Sequence, residues 1–306
     1  MTQLVSLILL EIILSFDRLV VVDWSARSKP SAKTPVKDAI YICHSINFEL
    51  QDTEYFRTRR EALNFIEKLI EKSLALKERI FIGFDFAFGY PAGFSKRVTS
   101  SSNPFSIWEF LNQAIIDGED NSNNRFEVAQ GFNSKFDGIG PFWGCPQNLH
   151  LDGLPHKGTD RSSDGFSEFR LCEKYARSAH SVWKLFTTGA VGSQSLMGIP
   201  CLQKLREKFN KKLCVWPFDQ EFNSAQIVLG EVYPSLFKFP SDIEIKTKAK
   251  AFCHDITDAY QTYRTVENLL NLDKEGRLLP LIPSNFRRQI LEEGWIVGLS
   301  FDNLRI

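Results

Sequence analysis

Two short apolar runs, each ending in an aspartate, constrain this chain more than any other feature. The first is Arg18-Leu-Val-Val-Val-Asp23 and the second is Arg79-Ile-Phe-Ile-Gly-Phe-Asp85. A run that is apolar at every position, not at every second one, reads as a strand buried on both faces, the kind that fills the middle of an α/β sheet. A carboxylate at the end of such a strand is costly unless it is paired, hydrogen-bonded or bound to a cation. Asp23 and Asp85 therefore either hold a turn or stand in a site. Repetition of the pattern favours a site for Asp23; for Asp85 a turn holding the Phe88-Gly89-Tyr90-Pro91 backbone competes evenly.

The segments between these runs alternate in type. Residues 38–46 read as a strand reached by a hairpin, and 48–56 as a weaker one. Ala62, Leu63, Phe65, Ile66, Leu69, Ile70 and Leu74 recur at helical spacing with charges opposite. Residues 107–116 look helical. Residues 118–168, rich in Asn, Ser, Gly and Asp, read as a long insertion with little regular structure. Then come a helix over 168–179, a small-residue loop over 189–200, and a basic helix over 202–212. Strands over 213–217 and 226–236 follow, the latter carrying Glu231. A helix over 255–270 presents Asp255 and Asp258 on one side, and residues 293–298 suggest a short closing strand. The predicted architecture is α/β, a mixed sheet flanked by helices with a long insertion.

The 306 residues carry 37 Lys plus Arg and 37 Asp plus Glu, so no net charge draws the chain to nucleic acid, and any such binding must be local. The six cysteines have no CxxC pair or zinc-type spacing, as expected of reduced thiols in a cytoplasmic protein. Residues 1–16 form an apolar extension that includes Glu11. It is too short to span a bilayer and lacks a basic n-region or an A-x-A cleavage site, so an extra packed helix, or residues upstream of the natural start, is expected there and not a membrane anchor.

Acids at the carboxyl ends of adjacent central strands converge at one edge of a sheet, and a last helix can bring Asp255 and Asp258 to the same place. Several converging carboxylates cannot all stay ionised without a cation. A hard divalent ion such as Mg²⁺ or Mn²⁺, bound by oxygen, is the natural partner, and two such ions suit phosphodiester cleavage.

Val-Val-Asp23-Trp-Ser, Gly-Phe-Asp85-Phe-Ala-Phe-Gly-Tyr-Pro, Gly192-Ser-Gln-Ser-Leu-Met-Gly-Ile-Pro, Glu231-Val-Tyr-Pro and His254-Asp-Ile-Thr-Asp258-Ala together resemble the DUF429 family, whose members are predicted ribonuclease H-like nucleases. The likeness runs over about residues 18–300. The closing His-Asp-x-x-Asp-Ala is also similar to the last motif of Holliday-junction resolvases of the RuvC type. The resemblance implies one ribonuclease H-like domain over 17–306, with Asp23 on the first strand, Asp85 on the fourth, Glu231 on the fifth, and Asp258 with Asp255 on the last helix. It implies Asp23, Asp85, Asp255 and Asp258 as metal ligands and Asp23, Asp85, Glu231 and Asp258 as catalytic, acting on nucleic acid or a nucleotide. Ribonuclease H proper uses a glutamate on its first long helix; here Glu61 and Glu67 look like surface charges, and no equivalent is assigned.

Plainer roles stand beside these. Asp255 reads as a helix N-cap, and Asp258 one turn later suits the helix dipole. His254 is a cap or a partner to the acids. Residues 189–198 lack the GK[ST] of a phosphate loop; Ser193 and Gln194, like Ser25, are candidate substrate contacts beside a tight turn. Lys204, with Arg206, Lys208, Lys211 and Lys212, can meet phosphates or simply form a solvated face. Phe142 and Trp143 can stack on bases or fill the core. Two other functions stay open. One is an actin- or sugar-kinase-like phosphotransferase, disfavoured because Asp23-Trp-Ser lacks the glycines of a phosphate loop. The other is a non-catalytic binding protein of the same fold; similar chains are sometimes labelled cobalamin or molybdopterin biosynthesis proteins.

Overall fold

The computed structural model describes residues 16–162, 165–176, 178–237 and 257–303. The expectations for residues 1–15, His254 and Asp255 lie outside the described residues.

Seven strands form one mixed sheet in the order β3-β2-β1-β5-β7-β6, with β4 also pairing β2. These are β1 (Arg18–Asp23), β2 (Ile40–Ile46), β3 (Glu49–Leu50), β4 (Glu54–Phe56), β5 (Ile80–Phe84), β6 (Leu213–Val215) and β7 (Ile227–Glu231). β2 runs antiparallel to β1, and β3 and β4 antiparallel to β2. β5 is parallel to β1, and β7 is parallel to both β5 and β6. The three central strands β1, β5 and β7 are buried almost throughout, as uniformly apolar runs require.

Alternation splits their side chains between two cores. Val20, Val22, Ile82, Phe84, Ile227 and Leu229 pack on one face against α1 (Arg59–Ala75), α3 (Pro104–Ala114) and α6 (Val191–Phe209). Leu19, Val21, Phe81 and Val228 pack on the other against Val266, Leu269 and Leu270 of α7 (Thr257–Lys274). Each fully buried aliphatic side chain contributes roughly 1.5–3 kcal/mol relative to exposure, so this double burial holds the three strands in fixed register. The shorter helices are α2 (Phe94–Thr99), α4 (Arg125–Asn133), α5 (Leu171–Tyr175) and α8 (Arg287–Glu293). No helix among the described residues is long and apolar enough to cross a membrane.

Several boundaries differ from the sequence expectation. The small-residue stretch 189–200 is not a loop: from Val191 it is the first half of α6. Its glycines permit close approach, since a Cβ on Gly198 would lie 2.2 Å from the Phe86 ring and one on Gly192 would lie 2.2 Å from the Val182 carbonyl. The insertion has more order than its composition suggests, holding α4, whose Phe126, Ala129 and Phe132 enter the core. The helix expected over 168–179 shrinks to Leu171–Tyr175. Residues 293–298 form no strand; Glu293 ends α8, and Ile296 makes a single bridge to Glu231.

Candidate functional site

Because β1 and β5 are parallel and pair Val22 with Phe84, both strands end at the same edge of the sheet. Asp23 and Asp85 each follow that pair by one residue, on the same face as Val21. Ligands of α/β sheets characteristically sit outside such carboxyl ends. The two carboxylates lie within hydrogen-bonding reach of each other, and Asp85 Oδ1 accepts the Trp24 N–H at 2.7 Å. α7 covers this face and brings Asp258 to the same point, where its Oδ2 accepts the Asp38 N–H at 2.8 Å. Asp38 itself closes the β1–β2 loop with a left-handed backbone, φ 57°. It is a fourth acid that sequence reasoning passed over, because it is exposed and lies outside any regular pattern; its positive φ signals a constrained turn that the sequence does not reveal.

The electrostatics follow from this crowding. Burial, then the charges of Asp85, Asp258 and Asp38, push the Asp23 carboxyl well above the usual range. Burial pushes Asp85 up to about 7, against the lowering effect of the Trp24 N–H. Asp258 is raised by burial and by Asp38, with the Asp38 N–H and Lys37 working the other way. The group therefore retains a proton between Asp23 and Asp85 near neutrality unless a cation replaces it.

The acids open into a cleft of about 550 Å³ that Ser25, Arg27, Arg125, Thr187, Thr188, Ser193 and Gln194 also line. Ser25 Oγ donates to the Asp38 carbonyl at 2.7 Å, so it shapes the loop carrying that acid. Gln194 Nε2 donates to the Trp24 carbonyl at 2.7 Å, tying α6 to the backbone behind Asp23. Ser193 Oγ donates to the Leu185 carbonyl and accepts from Arg125 Nε. Behind the loop, Arg59 makes a bidentate pair with Asp117 and donates to the carbonyls of Ser25, Arg27 and Asn121. This clamp holds the site loop against the beginning of the insertion.

Other candidate residues lie apart from this group. Glu231 is in phase with Phe84, on the face opposite Asp23 and Asp85, and is 4% exposed. Arg170 grips both its oxygens, at 2.7 and 2.5 Å, and the Phe88 N–H donates to it at 3.1 Å. Arg170 lies far away in sequence, so nothing near Glu231 announces the pair. Lys204 is exposed on α6 and does not line the cleft. Farther along the same helix Lys208 pairs with Glu67 and Glu71, while Glu61 completes the N-terminal capping box of α1. Phe142 is fully buried in the core, and Trp143 is flanked by Arg161 and Lys184.

The acid donors are all oxygen and mutually repulsive, the chemistry that suits a hard cation. Among the described residues, no group of three or more His, Cys, Asp or Glu side chains is placed so that it could hold a metal ion. The five described cysteines are free. No family model matches the chain, and neither a curated protein nor a solved structure is a significant match to it.

Proposed function

We propose that this protein is a metal-dependent phosphodiesterase or nuclease on a ribonuclease H-like sheet, as the resemblance to the DUF429 family implies. The observation that carries the reading is the convergence of Asp23, Asp85 and Asp258 on one cleft at the carboxyl ends of β1 and β5, with each carboxyl raised by burial and by its acidic neighbours. The strand order supports it: an antiparallel β1–β2–β3/β4 meander continued on the other side of β1 by parallel strands.

In this reading Asp23, Asp85 and Asp258 would hold Mg²⁺ or Mn²⁺, with Asp38 beside them. The bound cation supplies the Lewis acidity that phosphodiester hydrolysis needs. The chain's own part is to hold the carboxylates ready: Trp24 N–H fixes Asp85, Asp38 N–H fixes Asp258, and Gln194 fixes the Trp24 peptide. The proton kept between Asp23 and Asp85 must leave before both can act as ligands, so cation affinity rises with pH. Glu231 is left out of the ligand set, because Arg170 already satisfies both its oxygens.

The test is hydrolysis of end-labelled single-stranded, duplex and branched DNA and RNA with Mn²⁺ or Mg²⁺. Cleavage by the wild type that is lost in Asp85→Asn, and lost with chelator, supports the reading. Equal cleavage by both proteins sinks it.

A further inference from the structure

Four arginines among the described residues are buried: Arg18, Arg59, Arg125 and Arg170. Three of them are neutralised by carboxylates, Arg18 by Glu78, Arg59 by Asp117, and Arg170 by Glu173 and Glu231. Arg125 is the exception. It is 8% exposed, yet its hydrogen-bond acceptors are neutral: Ser193 Oγ at 2.9 Å from Nε, and Ser28 Oγ at 2.8 Å and Asn123 Oδ1 at 2.7 Å from Nη1. Nη2 has no acceptor among the described residues. Burying a guanidinium without a counter-charge costs several kcal/mol in general. Burial, then the charge of Arg59, lowers the Arg125 pKa to about 10, against the raising effect of the exposed Glu127. A chain that spends three residues on fixing this group, and leaves one edge of its fork open to a cleft, has built a donor for an anion.

A second feature meets it there. The nineteen-residue helix α6 begins at Val191, its N-cap Ala190 supplies no side-chain cap, and Gly189, Ala190, Ser193 and Gln194 line the same cleft. The Gly192 and Ser193 N–H groups already donate to the Lys184 and Ala190 carbonyls, so what this helix end offers an oxyanion is the positive end of its dipole. Ser193, in the first turn, is the residue that ties Arg125 to this helix end.

We infer that Arg125 and the N-terminus of α6 form a phosphate subsite in the acid cleft, taking a phosphate group of the substrate other than the one hydrolysed. The assignment to substrate rests on the phosphodiester reading above; the existence of an anion site there does not. The acids repel a phosphate unless a cation screens them, whereas the Arg125 side of the cleft attracts one with no cation present. A substrate that uses both carries successive phosphates, which makes it an oligonucleotide or polynucleotide and not an isolated diester.

The experiment is titration of inorganic phosphate into the full chain in chelator-treated buffer at constant ionic strength, read by calorimetry and by thermal shift. The proteins are wild type, Arg125→Gln, Arg125→Lys and Asp23→Asn, with circular dichroism reporting each fold. The expected result is saturable binding by wild type, at least tenfold weaker in Arg125→Gln and several-fold weaker in Arg125→Lys, which keeps the charge but loses the fork. Asp23→Asn binds at least as tightly as wild type, since it adds no repelling charge and leaves Arg125 untouched. If Arg125→Gln does not fold, the lysine variant decides. Phosphate affinity unchanged in the Arg125 variants, or no binding by wild type, overturns the subsite. Failure of the nuclease reading would leave these affinities as predicted, so the two failures are distinguishable.

Discussion

Asp23 and Asp85 end neighbouring parallel strands one residue beyond the Val22–Phe84 register pair, and the backbone N–H next to Asp23 is hydrogen-bonded to Asp85 at 2.7 Å. The sheet register thus brings two carboxylates together at the mouth of the cleft. The fold accepts a standing repulsion at this edge, and its consequences can be measured.

One consequence is an inverted pH dependence of stability. Asp85 has a folded pKa raised to about 7, above the roughly 4 of an unfolded aspartate. The native state therefore holds a proton that the unfolded chain has released. Stability contributed by this group is lost as pH rises from about 4 through about 7, opposite to a salt-bridged aspartate. Asp85→Asn keeps an oxygen for the Trp24 N–H and removes the ionisation. In metal-free buffer it should melt several degrees above wild type at pH 8, by less at pH 5, and converge with it only below about pH 4. A melting difference independent of pH would contradict this.

Arg59 should matter more than any exposed charge. Truncation to alanine strands Asp117 and releases the carbonyls of Ser25, Arg27 and Asn121. A loss of about 3–5 kcal/mol is expected from breaking a buried pair, read as a lower urea midpoint. Arg59→Lys should recover only part of it, because one ammonium cannot replace the fork.

Glu231 and Asp23 should separate cleanly. Glu231→Gln removes one of the two counter-charges of the buried Arg170 and should cost about 2–4 kcal/mol of stability with little change in Mn²⁺ affinity at temperatures where the variant is folded. Loss of cation binding with unchanged stability would instead make Glu231 a ligand.

Gly198→Ala tests the contact that seats α6 beside the site. Helix propensity alone favours alanine by about 1 kcal/mol, but the new methyl would meet the Phe86 ring at 2.2 Å. Net destabilisation of about 1–3 kcal/mol is expected, seen as a lower melting temperature.

How far the sequence could be read depended on whether a signal was local. The runs ending in Asp23 and Asp85 are legible because every residue in them is apolar, and a run of that kind has few places to go. Asp258 is legible as a helix-start acid, though its approach to β1 depends on α7 crossing that face. Arg125, Arg59 and Arg170 are invisible as buried groups: each lies in an ordinary polar stretch, and its burial is decided by partners far away in the chain. Residues 191–200 mislead because small residues and Pro200 signal a loop, while tertiary packing against Phe86 and Leu185 makes them helix.

The central claim is that Asp23, Asp85 and Asp258 together hold a divalent cation, and calorimetric titration of Mn²⁺ into wild type and Asp23→Asn at pH 8 tests it most directly. Saturable binding by wild type is expected, weakening towards pH 6 and falling by at least tenfold in a folded Asp23→Asn. Equal binding by both proteins, or none by wild type with and without a nucleic-acid substrate analogue present, would contradict it.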